Sequence, residues 1–219
     1  MYACDPKLSS RGGVFIVVEG IDGAGKTLHS KKLCISLHGK EYDVRYTAEP
    51  SKNYLGRIVR EEFLHRTKIP PEMETLLFAA DRFQHLQEEI LPSLQQSRIV
   101  VSDRYYFASI AYQGAQGVST DWIRSVNNFA PRPDLAMYLD VPADIAIARI
   151  HRDKSLMERL DLEEKVRALY LELVKSGELI LVDGNRSIET VSEEMLRLVL
   201  EVISKTRQKS SDKGKQESS

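Results

Sequence analysis

Short apolar runs alternate with longer stretches of helical periodicity along the 219 residues of this chain. The run at 14–18 is continuously apolar, which is typical of a central strand that is covered on both faces of its sheet. Four further short runs predict the other strands. The predicted strands are 14–18, 44–47, 98–102, 135–139 and 179–182.

Helical patterns fill the intervals between these strands. The apolar residues at 166, 169, 170, 173 and 174 follow the spacing of a helix that faces a core. Strands that alternate with helices predict an α/β fold, with a five-stranded parallel sheet covered by helices on both faces. The predicted helices cover 26–37, 54–64, 72–94 and 144–152, with two more around 166–174 and 188–199.

Composition and charge narrow the functions and cellular locations that this chain is expected to have. Lys plus Arg number 31 and Asp plus Glu 32, so the near-zero net charge gives no sign of nucleic-acid binding. Cys4 and Cys34 have no metal or redox spacing, which favours a reducing, cytoplasmic setting. No apolar run approaches the ~20 residues that a membrane helix needs. We expect an N-terminal extension at 1–12, one folded domain at 13–203, and a disordered polar tail at 204–219.

A phosphate-binding motif follows the first predicted strand and opens the first predicted helix. Glycines let the backbone curl so that successive N–H groups point at phosphate oxygens, and the helix N-terminus adds partial positive charge. Lys26 can reach the β- and γ-phosphates of ATP, and the Thr27 hydroxyl can bind Mg²⁺. We expect Lys26 to face solvent in the free protein. The motif, here called the phosphate loop, is Gly20, Ile21, Asp22, Gly23, Ala24, Gly25, Lys26 and Thr27.

Charged residues end the third predicted strand. Asp103 stands where an acidic residue can hold Mg²⁺ through water, beside a phosphate loop. Arg104 can donate two parallel hydrogen bonds to a phosphate. The alternative is a helix cap beside an exposed ion pair.

One helical spacing suggests a base-binding platform. Phe78 and Arg82 lie at i and i+4, so they share a face of the predicted helix at 72–94. Phe78 can stack on a base while Arg82 donates to its edge. The spacing alone favours the alternative, in which Phe78 is in the core and Arg82 is paired with a nearby acid.

These motifs together resemble the thymidylate kinase family over about 14–199, most of the chain. The phosphate loop occurs in many nucleotide-binding proteins, but its combination with 78–82 and 103–105 is specific. The resemblance implies a P-loop NTPase fold with a short lid at about 149–161, so that 13–203 forms a nucleoside monophosphate kinase domain. The remaining segments that carry the resemblance are 49–50, 111–114, 133–135, 138–142 and 182–185.

The family implies how the acceptor nucleotide, dTMP, is held at its base. Phe78 stacks on thymine and Arg82 donates to its O4 atom. Tyr112 crowds the 2′ position of the sugar and so selects deoxyribose. Gln113 is implied as a contact on the base side.

The family also implies the sugar and phosphate contacts. Asp22 binds the 3′-hydroxyl and Arg104 grips the acceptor phosphate, with Glu49 among the substrate-binding residues. Thr27 and Asp103 serve Mg²⁺, and Asn185 borders the adenine of ATP. The implied reaction is ATP-dependent phosphorylation of dTMP to dTDP by a homodimer built on helices near 54–64 and 72–94.

The chain departs from the family in two places. Bacterial members carry an arginine where this chain has Ala48, so that part of the acceptor-phosphate site is missing, and Lys52 or Arg57 is a candidate replacement. At Ala108 and Ser109, where other members have Ser-Asn or Ser-Gly, the contact to thymine N3 is left unassigned.

The phosphate loop contains no arginine, although some members of the family carry one there. The lid offers Arg149, Arg152 and Arg159 as the cations that approach the transferred phosphate. This is similar to the subclass whose catalytic arginine lies in the lid. The alternative is a solvated, charged helix face.

Two other functions remain open on the sequence. Deoxynucleoside kinases also place a glutamate after the second strand, where Glu49 would act as general base for a neutral 5′-hydroxyl. A non-catalytic P-loop protein would need no base platform. Arg104 as a phosphate ligand, beside Asp22 in the loop, favours a monophosphate acceptor.

Overall fold

A computed structural model describes residues 12–63, 69–150 and 156–216, with side chains described within 12–61, 69–150 and 160–206. The described strands form one parallel five-stranded sheet in the order β2-β3-β1-β4-β5. The predicted α/β class and its parallel sheet are therefore confirmed. The strands are β1 (Val14–Glu19), β2 (Val44–Ala48), β3 (Ile99–Asp103), β4 (Leu135–Asp140) and β5 (Ile180–Asp183).

The first strand lies at the centre of the sheet because residues 14–18 are all apolar. All six residues of β1 are buried, and alternate residues of a strand point to opposite faces, so helices cover both faces here. In the register, Val17 lies between Ser102 of β3 and Ala136 of β4. The strand order reverses at β1, and such a switch point opens a crevice at the carboxyl ends of the strands.

The helices pack in two groups against this sheet. The first and last described helices contact each other, whereas α5 contacts both α3 and α8. The helical bounds are α1 (Lys26–His38), α2 (Tyr54–Ile58) with a π-helical continuation (Val59–Phe63), α3 (Pro71–His85) with a π-helical segment (Leu86–Ile90) leading into α4 (Leu91–Gln95), α5 (Tyr106–Ala115), α6 (Thr120–Val126), α7 (Ala143–Ile150), α8 (Leu156–Lys175) and α9 (Ile188–Gln216).

Two helices were not predicted from the pattern. Helix α5 is buried on several sides, at Phe107, Ile110 and Ala111 among others, so it lacks a clear polar stripe. Helix α6 has only seven residues, and its start is marked by Ser119, whose side chain accepts a hydrogen bond from the backbone of Trp122. Burial on several sides and short length both remove the periodicity that predicts a helix.

The last helix runs further than the sequence predicted. Helix α9 continues to Gln216, past residue 204 where a disordered tail was expected. Its start is stabilised by a buried stripe that ends at Ile203. Seven of the thirteen residues at 204–216 are Lys, Gln or Arg, which are good helix formers. Residues 1–11 lie outside the described part of the chain. Within that part, no helix has both the length and the apolar character needed to span a bilayer.

Candidate active site

A cavity of about 760 Å³ opens at the carboxyl ends of the strands, and the phosphate loop forms one wall. Gly23 and Gly25 adopt positive φ angles of 84° and 94°. A Cβ atom on Gly23 would lie 2.0 Å from the carbonyl oxygen of Ala146, so only glycine fits between the loop and α7. These two glycines hold the curled backbone that the phosphate-binding motif requires.

Lys26 lines this cavity, but it does not face open solvent as predicted. Its residue is only 7% exposed, and Nζ donates to the carbonyl oxygen of Ile21 at 2.8 Å. Burial lowers the pKa of Lys26 to about 8, and the charge of Arg104 acts in the same direction. The lysine is drawn inward because the folded loop offers it a backbone acceptor, which no spacing rule in the sequence reveals.

Thr27 and Asp103 lie together at the cavity wall. Thr27 Oγ1 donates to Asp103 Oδ2 at 2.5 Å, and both residues line the cavity. Hydroxyl and carboxylate oxygens are the hard donors that Mg²⁺ prefers, and this ion normally keeps several waters and phosphate oxygens as its other ligands. Across the described residues no group of three or more acidic, His or Cys side chains is arranged so that it could hold a metal ion. The pair therefore fits a magnesium ion that is shared with a nucleotide.

Arg104 is held above the phosphate loop. Its φ angle of 74° is unusual for a residue other than glycine, and its backbone N–H donates to the Val18 carbonyl at 3.0 Å. Its guanidinium forms an ion pair with the Asp22 carboxylate and lies 4.9 Å from the centre of the Tyr112 ring. The predicted phosphate and sugar ligands are thus brought together beside the loop.

Phe78 and Arg82, which were predicted to bind the base, do not belong to the described lining of the cavity that contains the predicted phosphate ligands. Arg82 is 1% exposed; Nε donates to Glu49 Oε2 at 2.9 Å and Nη1 donates to Asn127 Oδ1 at 2.5 Å. Phe78 is half-buried. Of the lining described for the phosphate-loop cavity, Glu49 is a member but Phe78 and Arg82 are not. The structure therefore pairs Arg82 with an acid, which is the arrangement that the i, i+4 spacing alone favoured.

Gln113 is also tied to its surroundings. Its Nε2 donates to Glu74 Oε2 at 2.9 Å, and the residue is buried. Its carbonyl oxygen is buried without a hydrogen-bond partner among the described residues. Gln113 does not belong to the described lining of the phosphate-loop cavity.

The cavity is also lined by residues near the end of α7 and after β5, namely Arg149, Gly184, Arg186 and Ile188. Asn185, which was predicted to border adenine, does not belong to that lining. Arg149 Nη2 donates to Asn185 Oδ1 at 3.4 Å, so the start of the lid touches the segment predicted to border adenine. Arg152 and the side chain of Arg159 lie outside the described residues.

Several residues near these groups were missed by the sequence interpretation, among them an arginine and two glutamates. Arg60 lines the cavity beside Pro50. In the sequence Arg60 is recognisable only as a basic residue one helical turn after Gly56. Glu163 contacts Tyr112 from α8. Glu19 is fully buried under the loop, where it accepts hydrogen bonds from the Tyr105 backbone and the Tyr170 hydroxyl, both at 2.8 Å.

The fold and this site define a P-loop phosphotransferase. A phosphate loop, a hydroxyl–carboxylate pair suited to Mg²⁺ and a facing arginine line one cavity at a switch point of a parallel sheet. The sequence model of the family described as thymidylate kinase matches residues 18–195. The chain belongs to the thymidylate kinase family.

Similar proteins come from several organisms, and each is named "Probable thymidylate kinase". The protein from Pyrococcus horikoshii is 42% identical over 196 residues, which cover 85% of this chain and 96% of that protein. The one from Staphylothermus marinus is 39% identical and covers 89% of this chain and 98% of its own length. The one from Methanocaldococcus jannaschii is 39% identical, with 84% and 94% covered. The similarity thus spans nearly the whole length of these relatives.

Proposed function

We propose that the cleft binds ATP and dTMP together and that the chain transfers the γ-phosphate of ATP to dTMP, giving dTDP and ADP. The observation that carries this proposal is that Lys26 and Arg104, two cations suited to phosphates, line one cavity from different elements. A nucleotide donor needs the first, and a phosphorylated acceptor needs the second.

The state of Glu49 separates this function from that of a deoxynucleoside kinase. A nucleoside kinase needs a carboxylate that accepts the proton of a neutral 5′-hydroxyl. Glu49 is 7% exposed and its Oε2 lies 2.8 Å from Arg82 Nη2. Because Oε2 accepts hydrogen bonds from this buried arginine, the Glu49 carboxylate is held in place and is not free to turn toward a 5′-hydroxyl. This arrangement supports an acceptor that is already phosphorylated.

Arg60 is the residue that we propose as the replacement for the arginine missing before Glu49. Its Nη2 donates to the carbonyl oxygens of Pro50 at 2.5 Å and Ser51 at 3.3 Å. Among the described residues these contacts occupy one terminal nitrogen, which leaves donors on the other side of the guanidinium for an anion. The earlier candidates Lys52 and Arg57 are exposed and do not belong to the described lining of the cavity. We therefore assign the acceptor phosphate to Arg104 and Arg60.

Catalysis in this arrangement is positioning together with charge neutralisation. A phosphate oxygen of dTMP forms the new bond to the γ-phosphorus of ATP, and the bond to the ADP oxygen breaks. The loop N–H groups and Lys26 hold the donor phosphates, and Arg104 holds the acceptor phosphate. Magnesium at Thr27 and Asp103 supplies charge neutralisation between the donor phosphates when it is bound. Because the loop has no arginine, we assign the mobile cation to the lid, with Arg152 first and Arg159 and Arg149 as alternatives.

The same proposal includes a homodimer. Helix α3 exposes a row of apolar side chains on one face, at Met73, Leu76 and Phe83, whose exposed fractions are 44%, 51% and 41%. Their spacing of three and seven residues keeps them on one stripe of the helix. An exposed stripe of this kind favours burial against a second copy of the chain.

We place the enzyme in the cytoplasm, in keeping with the free thiol of Cys34.

A coupled assay of ADP release tests the proposal. The substrates are dTMP, dUMP, UMP, dCMP and thymidine, each offered with ATP and Mg²⁺. We expect dTMP to have the highest kcat/KM. The matched control is Lys26→Ala, which should remove ADP release with every acceptor while the circular dichroism spectrum is unchanged. Equal turnover of all acceptors, or full activity of the control variant, would contradict the proposal.

A further inference from the structure

A hydrogen-bonded chain connects the lid-side helix α8 to the phosphate loop through Tyr112. The Tyr112 hydroxyl accepts a hydrogen bond from the backbone N–H of Asp22 at 2.9 Å. The same hydroxyl donates its single proton to Glu163, whose carboxylate oxygens lie 3.2 and 3.4 Å away. Tyr112 is thus fixed from both sides, by the loop and by α8.

The protonation of these groups supports this direction of donation. Burial raises the pKa of Tyr112 well above its ordinary value, so the phenol keeps its proton at neutral pH. Burial also raises the pKa of Glu163, and the hydrogen bond from Tyr112 acts against that rise. Glu163 is only 6% exposed, so its side chain has little freedom to move away.

The ring held by this chain lies where the sugar specificity is expected. Tyr112 is the residue implied in selecting deoxyribose, and its ring lies 4.9 Å from the guanidinium carbon of Arg104. A ring can reject a 2′-hydroxyl by steric contact only if it cannot tilt aside, because a small movement is enough to admit one oxygen atom. Anchoring the far end of the ring is the direct way to prevent that tilt.

We infer that Glu163 is a positioning residue for Tyr112 and that it sets how strongly the enzyme rejects a ribonucleotide acceptor. This inference rests on the proposed function and goes one step beyond it. Glu163 touches neither substrate in this account and acts through the tyrosine hydroxyl. A purely structural role, in which Glu163 only packs α8 against α5, would change stability and leave sugar selection unaltered.

The test compares two acceptors that differ by one hydroxyl group, dTMP and its ribonucleotide counterpart 5-methyluridine monophosphate. The quantity measured is the ratio of their kcat/KM values. In Glu163→Ala we expect the preference for dTMP to fall about tenfold, the size of one lost hydrogen bond to a charged group. Glu163→Gln keeps an acceptor oxygen and should retain most of the preference. The matched control is Glu164→Ala, at the exposed neighbouring position on α8, which should leave the ratio unchanged.

A second variant keeps the inference open to refutation if Glu163→Ala does not fold. Tyr112→Phe removes only the hydroxyl and should lower the ratio by a similar factor. The double variant Tyr112→Phe, Glu163→Ala should show no further loss, because both changes break one chain. A wild-type ratio in Tyr112→Phe, or additive losses in the double variant, would overturn the inference. If the wild-type chain fails to phosphorylate dTMP, the proposed function itself fails, whereas an unchanged ratio in an active enzyme overturns only the role of Glu163.

Discussion

Arg82 and Glu49 form an ion pair inside the protein, with 2.8 Å between Arg82 Nη2 and Glu49 Oε2. Both side chains are at most 3% exposed. Arg82 also donates to Asn127, and its Nη2 lies 3.3 Å from Ser109 Oγ, so its guanidinium is fixed on three sides. Fixing the guanidinium in this way prepares it for directional hydrogen bonds, at the cost of burying two charges.

This pair predicts that Arg82→Ala affects stability as well as catalysis. Removing the arginine leaves the buried Glu49 carboxylate with only His85, whose Nδ1 lies 3.4 Å from Oε1, as a partner. Breaking a buried ion pair on one side typically costs about 3–5 kcal/mol of unfolding free energy. Urea unfolding measures this cost. The double variant Arg82→Ala, Glu49→Gln should recover a large part of it, since the stranded charge is gone. An Arg82→Ala protein as stable as wild type would show that the pair is not maintained in solution.

Arg60 is expected to contribute to dTMP binding only through the phosphate. Arg60→Ala should weaken dTMP by about tenfold to a hundredfold, the loss of one charged hydrogen-bonding partner, and leave thymidine binding unchanged. Isothermal titration calorimetry with the two ligands gives both values. Arg57→Ala removes an exposed arginine from the same helical segment and should change neither. Equal weakening of dTMP and thymidine would mean that Arg60 supports the fold rather than the phosphate.

Glu19 predicts a specific dependence of stability on pH. Burial raises its pKa from 4.5 to about 7 in the folded protein. A carboxyl group whose pKa is raised on folding costs nothing while it is protonated in both states, below about pH 4.5. The cost grows as pH rises from about 4.5 to 7, where only the unfolded state is ionised, and it is complete above 7. By linkage, this cost is on the order of 3 kcal/mol.

The variant Glu19→Gln isolates that cost. Its unfolding free energy, relative to wild type, should increase by roughly 2–3 kcal/mol between pH 5 and pH 8, because glutamine carries no charge at either pH. Urea unfolding of both proteins at the two pH values is the measurement. A difference between the proteins that is constant across this range would show that Glu19 titrates normally.

One of the lid arginines is expected to act on the transferred phosphate alone, whereas Arg149 is also a candidate for holding adenine or an inner phosphate. A cation that contacts the phosphate only as charge develops lowers kcat on removal and leaves KM for dTMP nearly constant. Arg152→Ala should therefore reduce kcat strongly, by ~10³-fold if it behaves as an arginine finger. Arg149→Ala and Arg159→Ala are tested beside it by steady-state kinetics. If all three variants keep kcat within about threefold, the lid does not supply the cation.

Much of the fold and of the phosphate-binding elements was predictable because their signals are local. The continuous apolar run at 14–18 and the glycine spacing of 20–27 each determine one element from neighbouring residues alone. Helix α5 was missed because burial on several sides removes the amphipathic pattern on which the prediction depends.

The remaining contacts join residues that are distant in the sequence. Tyr112 and Glu163 are 51 residues apart, and Arg82 and Asn127 are 45 apart. A single sequence contains no spacing rule for such pairs, because tertiary packing alone decides which side chains meet. The inward position of Lys26 has the same origin, since its acceptor is a backbone carbonyl that only the folded loop presents.

One competition experiment tests the central claim most directly. The enzyme is incubated with Mg²⁺, ATP labelled at the γ-phosphate, and an equal mixture of dTMP and thymidine, and the labelled products are separated by chromatography. The account predicts that the label appears in dTDP, because Arg104 and Arg60 require a phosphate on the acceptor and Glu49 is held by Arg82. Label that appears first in dTMP, formed from thymidine, would contradict it and identify a nucleoside kinase.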